Sequence, residues 1–341
     1  TMKTRSFTSR SGQSLTFTTM GFGTAPLGNL YAPIRDEAAR QTLDQAWQVG
    51  CRIFDTAPFY GLGLSETRLN PFLRAHKGEE FLLSSKIGRL LKPCPPAERS
   101  AQAHYIDTPA RRVVFDYSYD GVMRSVEDSL ARLGVDRIDI LLCHDIDAIT
   151  HESDSLSEQH LKTFMEGGYR ALERLRSDGS IKAFGAGLNV WQMCERLARL
   201  GDFDLFLMAG RYTLLEQEPL DTFLPLCLTR KIGIICGGPY NSGILATGAV
   251  AGAFYNYEPA PPAILDRVRK IEAICRAHNV SLSEAAIQFP LFHEAVLCVI
   301  PGGKTPDEVA RNASQVQKPI PTALWADLKT AGLLAAHAPT P

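Results

Sequence analysis

The chain has 341 residues, 45% hydrophobic and 21% charged, which is enough to bury a large core without disulfide or metal staples. Its formal net charge is −1, and its lysines and arginines are dispersed rather than run together, so nothing in the charge pattern points to nucleic acid or an acidic membrane surface. No window approaches the ~20 apolar residues of a membrane span, which leaves a small neutral or weakly charged molecule as the partner class.

The opening Thr1-Met2-Lys3 has no apolar stretch behind it, which predicts the absence of a signal peptide. Residues 5–18 read as a small hairpin turning at Ser11-Gly12-Gln13, placed to plug the lower end of whatever follows. Eight short apolar or β-branched runs then recur, at residues 20–24, 51–55, 81–86, 137–144, 181–187, 205–210, 233–237 and 295–300. The segments between them are amphipathic. Asp36 is placed to cap a helix with Ala39, Leu43, Ala46 and Trp47 on its apolar face, ended by Gly50. Residues 122–133 form a second helix, stopped by Gly134, and residues 172–176 end a third, closed by Asp178-Gly179.

Strands alternating with crossover helices predict a parallel sheet. Eight repeats predict an α/β chain of the (β/α)8 TIM-barrel class, one domain over residues 1–341 with the hairpin ahead of it. Two segments break the rhythm: 91–119, with four prolines, and 146–161, polar and acidic. They read as long loops after the third and fourth strands and as lids on the substrate face.

None of the eight cysteines belongs to a CxxC pair, and several lie inside apolar runs such as Ile234-Ile235-Cys236. They read as buried reduced thiols of a cytoplasmic protein. The usual nucleotide and hydrolase signatures fail. Gly302-Gly303-Lys304-Thr305 looks like the end of a Walker loop, but the position of its leading glycine holds Cys298. Gly21-Phe22-Gly23, Gly61-Leu62-Gly63 and Gly185-Ala186-Gly187 each lack the third glycine of a dinucleotide fingerprint. There is no GxSxG elbow, and His151-Glu152 lacks the second histidine of a zinc helix, which favours chemistry without a metal.

What remains is a set of polar residues at strand ends. Asp55 closes the second strand, Tyr60 follows in a short loop, Lys86 closes the third and His144 the fourth. In a barrel these converge at the catalytic mouth. A lysine ammonium ~4 Å from a phenol, at an effective dielectric of about 20, attracts its phenolate by roughly 4 kcal/mol, which makes Tyr60 a candidate acid or base. Asp55 would hold Lys86 charged and in place, and His144 would hydrogen-bond the substrate oxygen. Singly, a tyrosine or histidine near a strand end is more often a structural hydrogen-bonding residue and an Asp–Lys pair more often a salt bridge; their joint placement favours chemistry.

The stretches Phe54-Asp55-Thr56-Ala57-Pro58-Phe59-Tyr60-Gly61, Ser84-Ser85-Lys86-Ile87-Gly88 and Asp139-Ile140-Leu141-Leu142-Cys143-His144 resemble the aldo-keto reductase family, and the likeness runs through almost the whole chain. It implies Asp55, Tyr60, Lys86 and His144 as the catalytic set, and a nicotinamide nucleotide lying across the strand ends of a barrel. Residues 115–122, 144–147, 209–217 and 241–245 resemble the aldose 1-dehydrogenase branch of that family. Its members include L-fucose (D-threo-aldose) dehydrogenases, L-galactose dehydrogenases and a pyridoxal 4-dehydrogenase, which oxidise an anomeric hydroxyl or a cyclic hemiacetal to a lactone.

The resemblance also implies cofactor contacts at Gly23, Thr24, Asp55, Asn189, Tyr240, Asn241, Gly243 and Leu245. The adenosine half would meet residues 300–312, with Gly302, Lys304, Glu308, Arg311 and Asn312. NADP-preferring members carry an arginine where this chain has Glu308; a carboxylate there repels a 2′-phosphate and accepts from a free 2′-hydroxyl, which favours NAD, while Lys304 and Arg311 keep NADP open. Where many reductases stack a tyrosine under the nicotinamide ring, this chain has Gly237-Gly238. Tyr31, Phe59, Tyr119 and Trp191 are the candidate substrate-pocket residues, although aromatic residues in such places are more often core. Three functions follow: an NAD-dependent dehydrogenase of aldoses or pyridoxal, an NADPH-dependent carbonyl reductase using the same residues, and a cofactor-binding regulatory subunit without turnover.

Overall fold

The computed structural model describes residues 1–101 and 104–341. A hairpin of β1 (Thr4–Thr8) and β2 (Ser14–Thr18) opens the chain. After it come β3 (Phe22–Gly23), β4 (Ile53–Asp55) and β5 (Leu82–Ile87), then a second hairpin of β6 (Arg89–Pro93) and β7 (Arg111–Phe115). The remaining barrel strands are β8 (Ile140–His144), β9 (Ala183–Leu188), β10 (Leu205–Ala209), β11 (Gly233–Gly237) and, after a small hairpin of β12 (Phe254–Tyr255) and β13 (Glu258–Pro259), β14 (Val296–Ile300).

Eight strands pair in parallel in the order β14-β11-β10-β9-β8-β5-β4-β3. Bridges from Met20 to Val299 and from Gly23 to Gly302 join the two ends, so the sheet closes into a barrel. All eight expected runs are strands, though the first is reduced to two paired residues. Leu15 and Phe17 of the hairpin pack with Ile53, Leu82, Ile140, Leu205 and Leu297 inside the barrel. The hairpin therefore seals the end at which the strands begin.

Helices cover the outside. Ala39, Leu43 and Ala46 of the Asp36–Gln48 helix are buried as their spacing requires. Asp36 is the first residue of that helix rather than its cap: Arg35 is the cap, and the Asp36 carboxylate instead receives Arg68 at 2.9 Å. Gly134 ends the Tyr119–Leu133 helix in a left-handed conformation, φ 66°. Gly185 has a packing role: a Cβ there would lie 1.5 Å from the Leu205 carbonyl oxygen of the neighbouring strand.

The two irregular segments hold more structure than expected. Residues 91–119 contain β7, which pairs antiparallel with β6. Residues 146–161 contain the helix Ala148–His151 and most of Asp154–Thr163, capped by the side chains of Asp147 and Ser153. All eight cysteines are free; seven are buried and Cys94, in the β6–β7 connection, is half-buried. No helix among the described residues is long and apolar enough to cross a membrane.

Candidate active site

β4, β5 and β8 are neighbours in register, with Asp55 opposite Ser84 and Lys86 opposite Leu142. That alignment brings the ends of three strands, and with them Asp55, Lys86 and His144, to one rim. Lys86 is 2% exposed and Asp55 1%. Their ion pair is 2.7 Å long, Lys86 Nζ also donates to the Thr56 carbonyl at 2.9 Å, and Ser84 donates to the other Asp55 oxygen at 2.9 Å. An ammonium has three N–H bonds, so one is left over. The Lys86 nitrogen stands 4.7 Å from the centre of the Tyr60 ring.

Tyr60 is presented by a turn that only small residues permit. A Cβ on Gly61 would lie 2.4 Å from the Gly28 carbonyl oxygen, so this loop lies directly on the one after β3. The Tyr60 ring meets the His144 ring edge-on at 6.1 Å and stacks against Tyr105 at 6.3 Å. Burial, followed by the nearby Asp55, pushes the Tyr60 phenol well above its ordinary value. This reverses the direction expected from the sequence. The charge of Lys86 is answered by Asp55 at 2.7 Å, and desolvation of a phenolate then dominates. Burial, reinforced by the Arg89 and Lys86 charges, holds His144 well below the usual histidine range, so its imidazole is neutral.

These side chains line a cavity of about 740 Å³, entered between the segments after β5, β8 and β11. Phe59, Tyr60, Lys86, His144 and Asn189 line it as expected; Arg89, Tyr105, Phe115, Asp145 and Tyr257 also line it, and the sequence had not singled them out. A larger, more open cleft of about 1100 Å³ lies on the outside near Arg52, His76 and Lys182 and holds none of the four strand-end residues. Among the described residues no cluster of three or more His, Cys, Asp or Glu side chains is arranged to hold a metal ion.

Three of the candidate pocket aromatics lie elsewhere. Tyr119 is the first residue of its helix and its hydroxyl accepts from Arg174 on the outer layer at 3.1 Å. Trp191 likewise opens a helix and donates to Glu218 at 3.4 Å. Tyr31 is 37% exposed and stacks on Phe254 at 5.9 Å, above the cavity rather than in its wall.

The candidate cofactor residues fall along one rim, because β9, β10, β11, β14 and β3 succeed one another around the barrel. Asn189 follows β9, Tyr240 to Leu245 follow β11, and Gly302 to Asn312 follow β14. Tyr240 donates to Asn312 at 2.9 Å and so ties two of these segments together. Asn241 donates to Gly210 and Glu216, while its buried amide oxygen has no partner among the described residues. Nothing lies within 4 Å of the position a Cβ on Gly243 would take. An unanswered buried acceptor in the segment that also holds the open position at Gly243 fits a loop that takes a bound molecule with N–H donors, such as a nicotinamide nucleotide. Glu308 accepts the Lys304 backbone N–H at 2.7 Å, which fixes its carboxylate at the start of the Pro306–Gln317 helix; Arg311 is exposed on the same helix.

Two cofactor expectations fare less well. Leu245 is fully buried and gives its N–H to the Tyr240 carbonyl, so it packs the loop. Thr24 is also buried: its hydroxyl donates to the Asp55 carbonyl at 2.8 Å and accepts from Ser65 at 2.8 Å. Gly23 pairs with Gly302 and closes the barrel.

Comparison with known proteins agrees with this geometry. The aldo/keto reductase family profile matches residues 19–332. Pyridoxal 4-dehydrogenase of Microbacterium luteolum is 41% identical over 94% of this chain and 95% of its own length. D-threo-aldose 1-dehydrogenase of a Pseudomonas species is 40% identical over 94% and 95%. Among solved structures, an aldo-keto reductase of Bacillus halodurans in its holo form superposes with a TM-score of 0.73 at 23% identity, covering 99% of this chain and 98% of that one, which supports the barrel. Aldo-keto reductases use nicotinamide cofactors. With its profile matched over most of its length and two full-length relatives near 40% identity, the chain belongs to the aldo/keto reductase family and is an oxidoreductase acting on alcohol or aldehyde groups.

Proposed function

We propose that the whole chain acts as one catalytic unit, an NAD-dependent dehydrogenase that oxidises an aldose at its anomeric carbon to the lactone. The observation that carries this is the grouping of Tyr60, Lys86 and His144 in the wall of one cavity, with Asp55 paired to Lys86 behind them, beside a rim fit for a dinucleotide. Nicotinamide, when bound, supplies the acceptor for the hydride.

In the reaction the anomeric C–H bond breaks and its electron pair leaves with the hydrogen. With Tyr60 in its deprotonated form, the anomeric O–H gives its proton to the phenolate oxygen, and the carbon and oxygen become the lactone carbonyl. The remaining Lys86 N–H is free to donate to that phenol oxygen and stabilise it while it carries charge. Asp55 keeps the ammonium in position. His144, held neutral, donates one ring N–H to the substrate oxygen without adding a competing charge. The walls of Phe59, Phe115, Tyr105 and Tyr257 exclude water from the reacting carbon. NAD is the favoured cofactor because the fixed Glu308 carboxylate opposes a 2′-phosphate and accepts from a ribose hydroxyl.

Those same aromatic walls favour a second substrate, the hemiacetal of pyridoxal, whose flat ring stacks against phenyl and phenol faces. Initial rates with NAD+ and L-fucose, D-arabinose, L-galactose or pyridoxal, set against NADPH and an aromatic aldehyde, test the proposal. Turnover of a sugar or pyridoxal with NAD+ is expected to dominate. Equal or faster aldehyde reduction with NADPH would make the protein a carbonyl reductase, and slow turnover throughout would leave a regulatory, cofactor-holding role.

A further inference from the structure

Arg89 follows the active-site strand β5 and opens β6. It is 5% exposed, and its guanidinium carbon lies 4.1 Å from the centre of the Phe59 ring and 5.1 Å from that of Phe115. One terminal nitrogen, Nη2, pairs with Asp145 Oδ2 at 2.9 Å. The same carboxylate oxygen is 3.3 Å from His144 Nε2. Asp145 itself adopts a left-handed backbone, φ 51°, which a non-glycine residue holds only when its surroundings impose it. The other nitrogen, Nη1, is buried and has no partner among the described residues, and Arg89 is one of the residues that line the cavity.

A buried guanidinium N–H without an acceptor is costly, and here the fork is locked by an ion pair on one side and two rings on the other. Arg89 lines the same cavity as Tyr60 and His144. Because Arg89 and His144 flank a single carboxylate oxygen, the groups they would contact on a substrate are close neighbours.

We propose that Arg89 is a specificity residue: its Nη1 takes a second oxygen of the substrate, borne next to the carbon that Tyr60 and His144 act on. This deepens the reading of the site given above and rests on it. It defines the substrate class as a hemiacetal with a nearby hydroxyl or phenolate, a description that fits an aldose with its 2-hydroxyl and, one carbon further out, pyridoxal with its phenolic 3-oxygen. A simple aldehyde or a 2-deoxy sugar leaves the donor unanswered. Sites built to hydrogen-bond a substrate hydroxyl discriminate strongly against the analogue lacking it.

The test compares whichever parent is turned over with its deoxy analogue, L-fucose with 2-deoxy-L-fucose or pyridoxal with its 3-deoxy form, in the wild-type enzyme and in Arg89→Met and Arg89→Lys. The wild type is expected to favour the parent in kcat/KM by roughly 10- to 100-fold, the range of a charge-assisted hydrogen bond. Both variants should lose most of that preference: beyond whatever both substrates lose through the altered Asp145 and His144, the parent should lose roughly a further 10-fold or more. Arg89→Lys keeps a cation beside Asp145 but not the two-pronged fork, so it remains informative if Arg89→Met, which strands the carboxylate, fails to fold. Equal losses on parent and deoxy substrate, or a wild type indifferent to the hydroxyl, would overturn the proposal. Absence of turnover with any sugar or with pyridoxal would instead overturn the functional reading beneath it.

Discussion

The Lys86 ammonium stands 4.7 Å from the centre of the Tyr60 ring while its shortest hydrogen bond, 2.7 Å, goes to Asp55 rather than to the phenol. The pair is thus neutral as a unit at rest, so that on the proposed mechanism its help to Tyr60 comes through one spare N–H rather than a net charge. A neutral phenol is ready to give a proton in reduction and must lose its own before it can accept one in oxidation. Tyr60→Phe keeps the ring packing and removes the exchangeable proton. We expect NAD+ binding, followed by fluorescence titration, to be nearly unchanged and turnover to fall by at least ~100-fold. Retained activity would mean that another group carries the proton.

Burial raises Tyr60 and lowers His144, and these directions fix the pH dependence. Oxidation needs Tyr60 as a proton acceptor, and a group with a raised value reaches that form only as pH rises. Oxidative kcat/KM should therefore climb from pH 7 to pH 9 by up to about tenfold per unit without a plateau. Reduction needs the protonated phenol, which persists through this range, and should stay flat. His144 stays neutral, so neither direction should show an acidic limb near its ordinary value. A plateau in oxidation near pH 7 would point to a different base.

The parts legible from sequence were those set by one short stretch of chain. Residues 233–237 are apolar and continuous because a barrel strand is buried on both faces, and β11 spans Gly233–Gly237. Asp55 and His144 stood out because each polar residue ends such a run. Arg89 gave no such signal: its role depends on Asp145, Phe59 and Phe115, which only the closed barrel and the β6–β7 hairpin bring together. Tyr105 was hidden in the same segment. Tyr119 and Trp191 misled for the converse reason. Both follow strand ends in sequence, but each is the first residue of a helix whose direction turns it toward Arg174 or Glu218. The raised phenol of Tyr60 was illegible too, since sequence spacing places Lys86 near the ring without showing that Asp55 has already claimed its charge.

Glu308 does two jobs that one substitution separates. Its carboxylate accepts the Lys304 N–H and, on the proposed cofactor placement, also sets the charge facing the adenosine end of the groove. Glu308→Arg removes the first and inverts the second. We expect the ratio of kcat/KM for NADP+ over NAD+ to rise roughly 10- to 100-fold, the range of a charge-assisted hydrogen bond to phosphate. A modest loss of stability, ~1 kcal/mol, should accompany it because the helix start loses an acceptor. Wild-type enzyme that already prefers NADP+ would remove the basis for the charge argument.

Whether the Asp55–Lys86 pair is machinery or scaffold can be decided by comparing one substitution with two. Lys86→Met leaves a carboxylate 1% exposed with Ser84 as its remaining side-chain partner. Stranding a buried charge typically costs about 3–5 kcal/mol, so this variant should unfold at markedly lower urea concentration. Adding Asp55→Asn removes the stranded charge, and replacing both members of a buried pair is often near neutral. The double variant should therefore recover most of the lost stability. It should recover none of the lost turnover, because the N–H that serves Tyr60 is absent in both. If activity returned with stability, Lys86 would be a structural counter-ion, and Tyr60 would have to move its proton without an ammonium beside it.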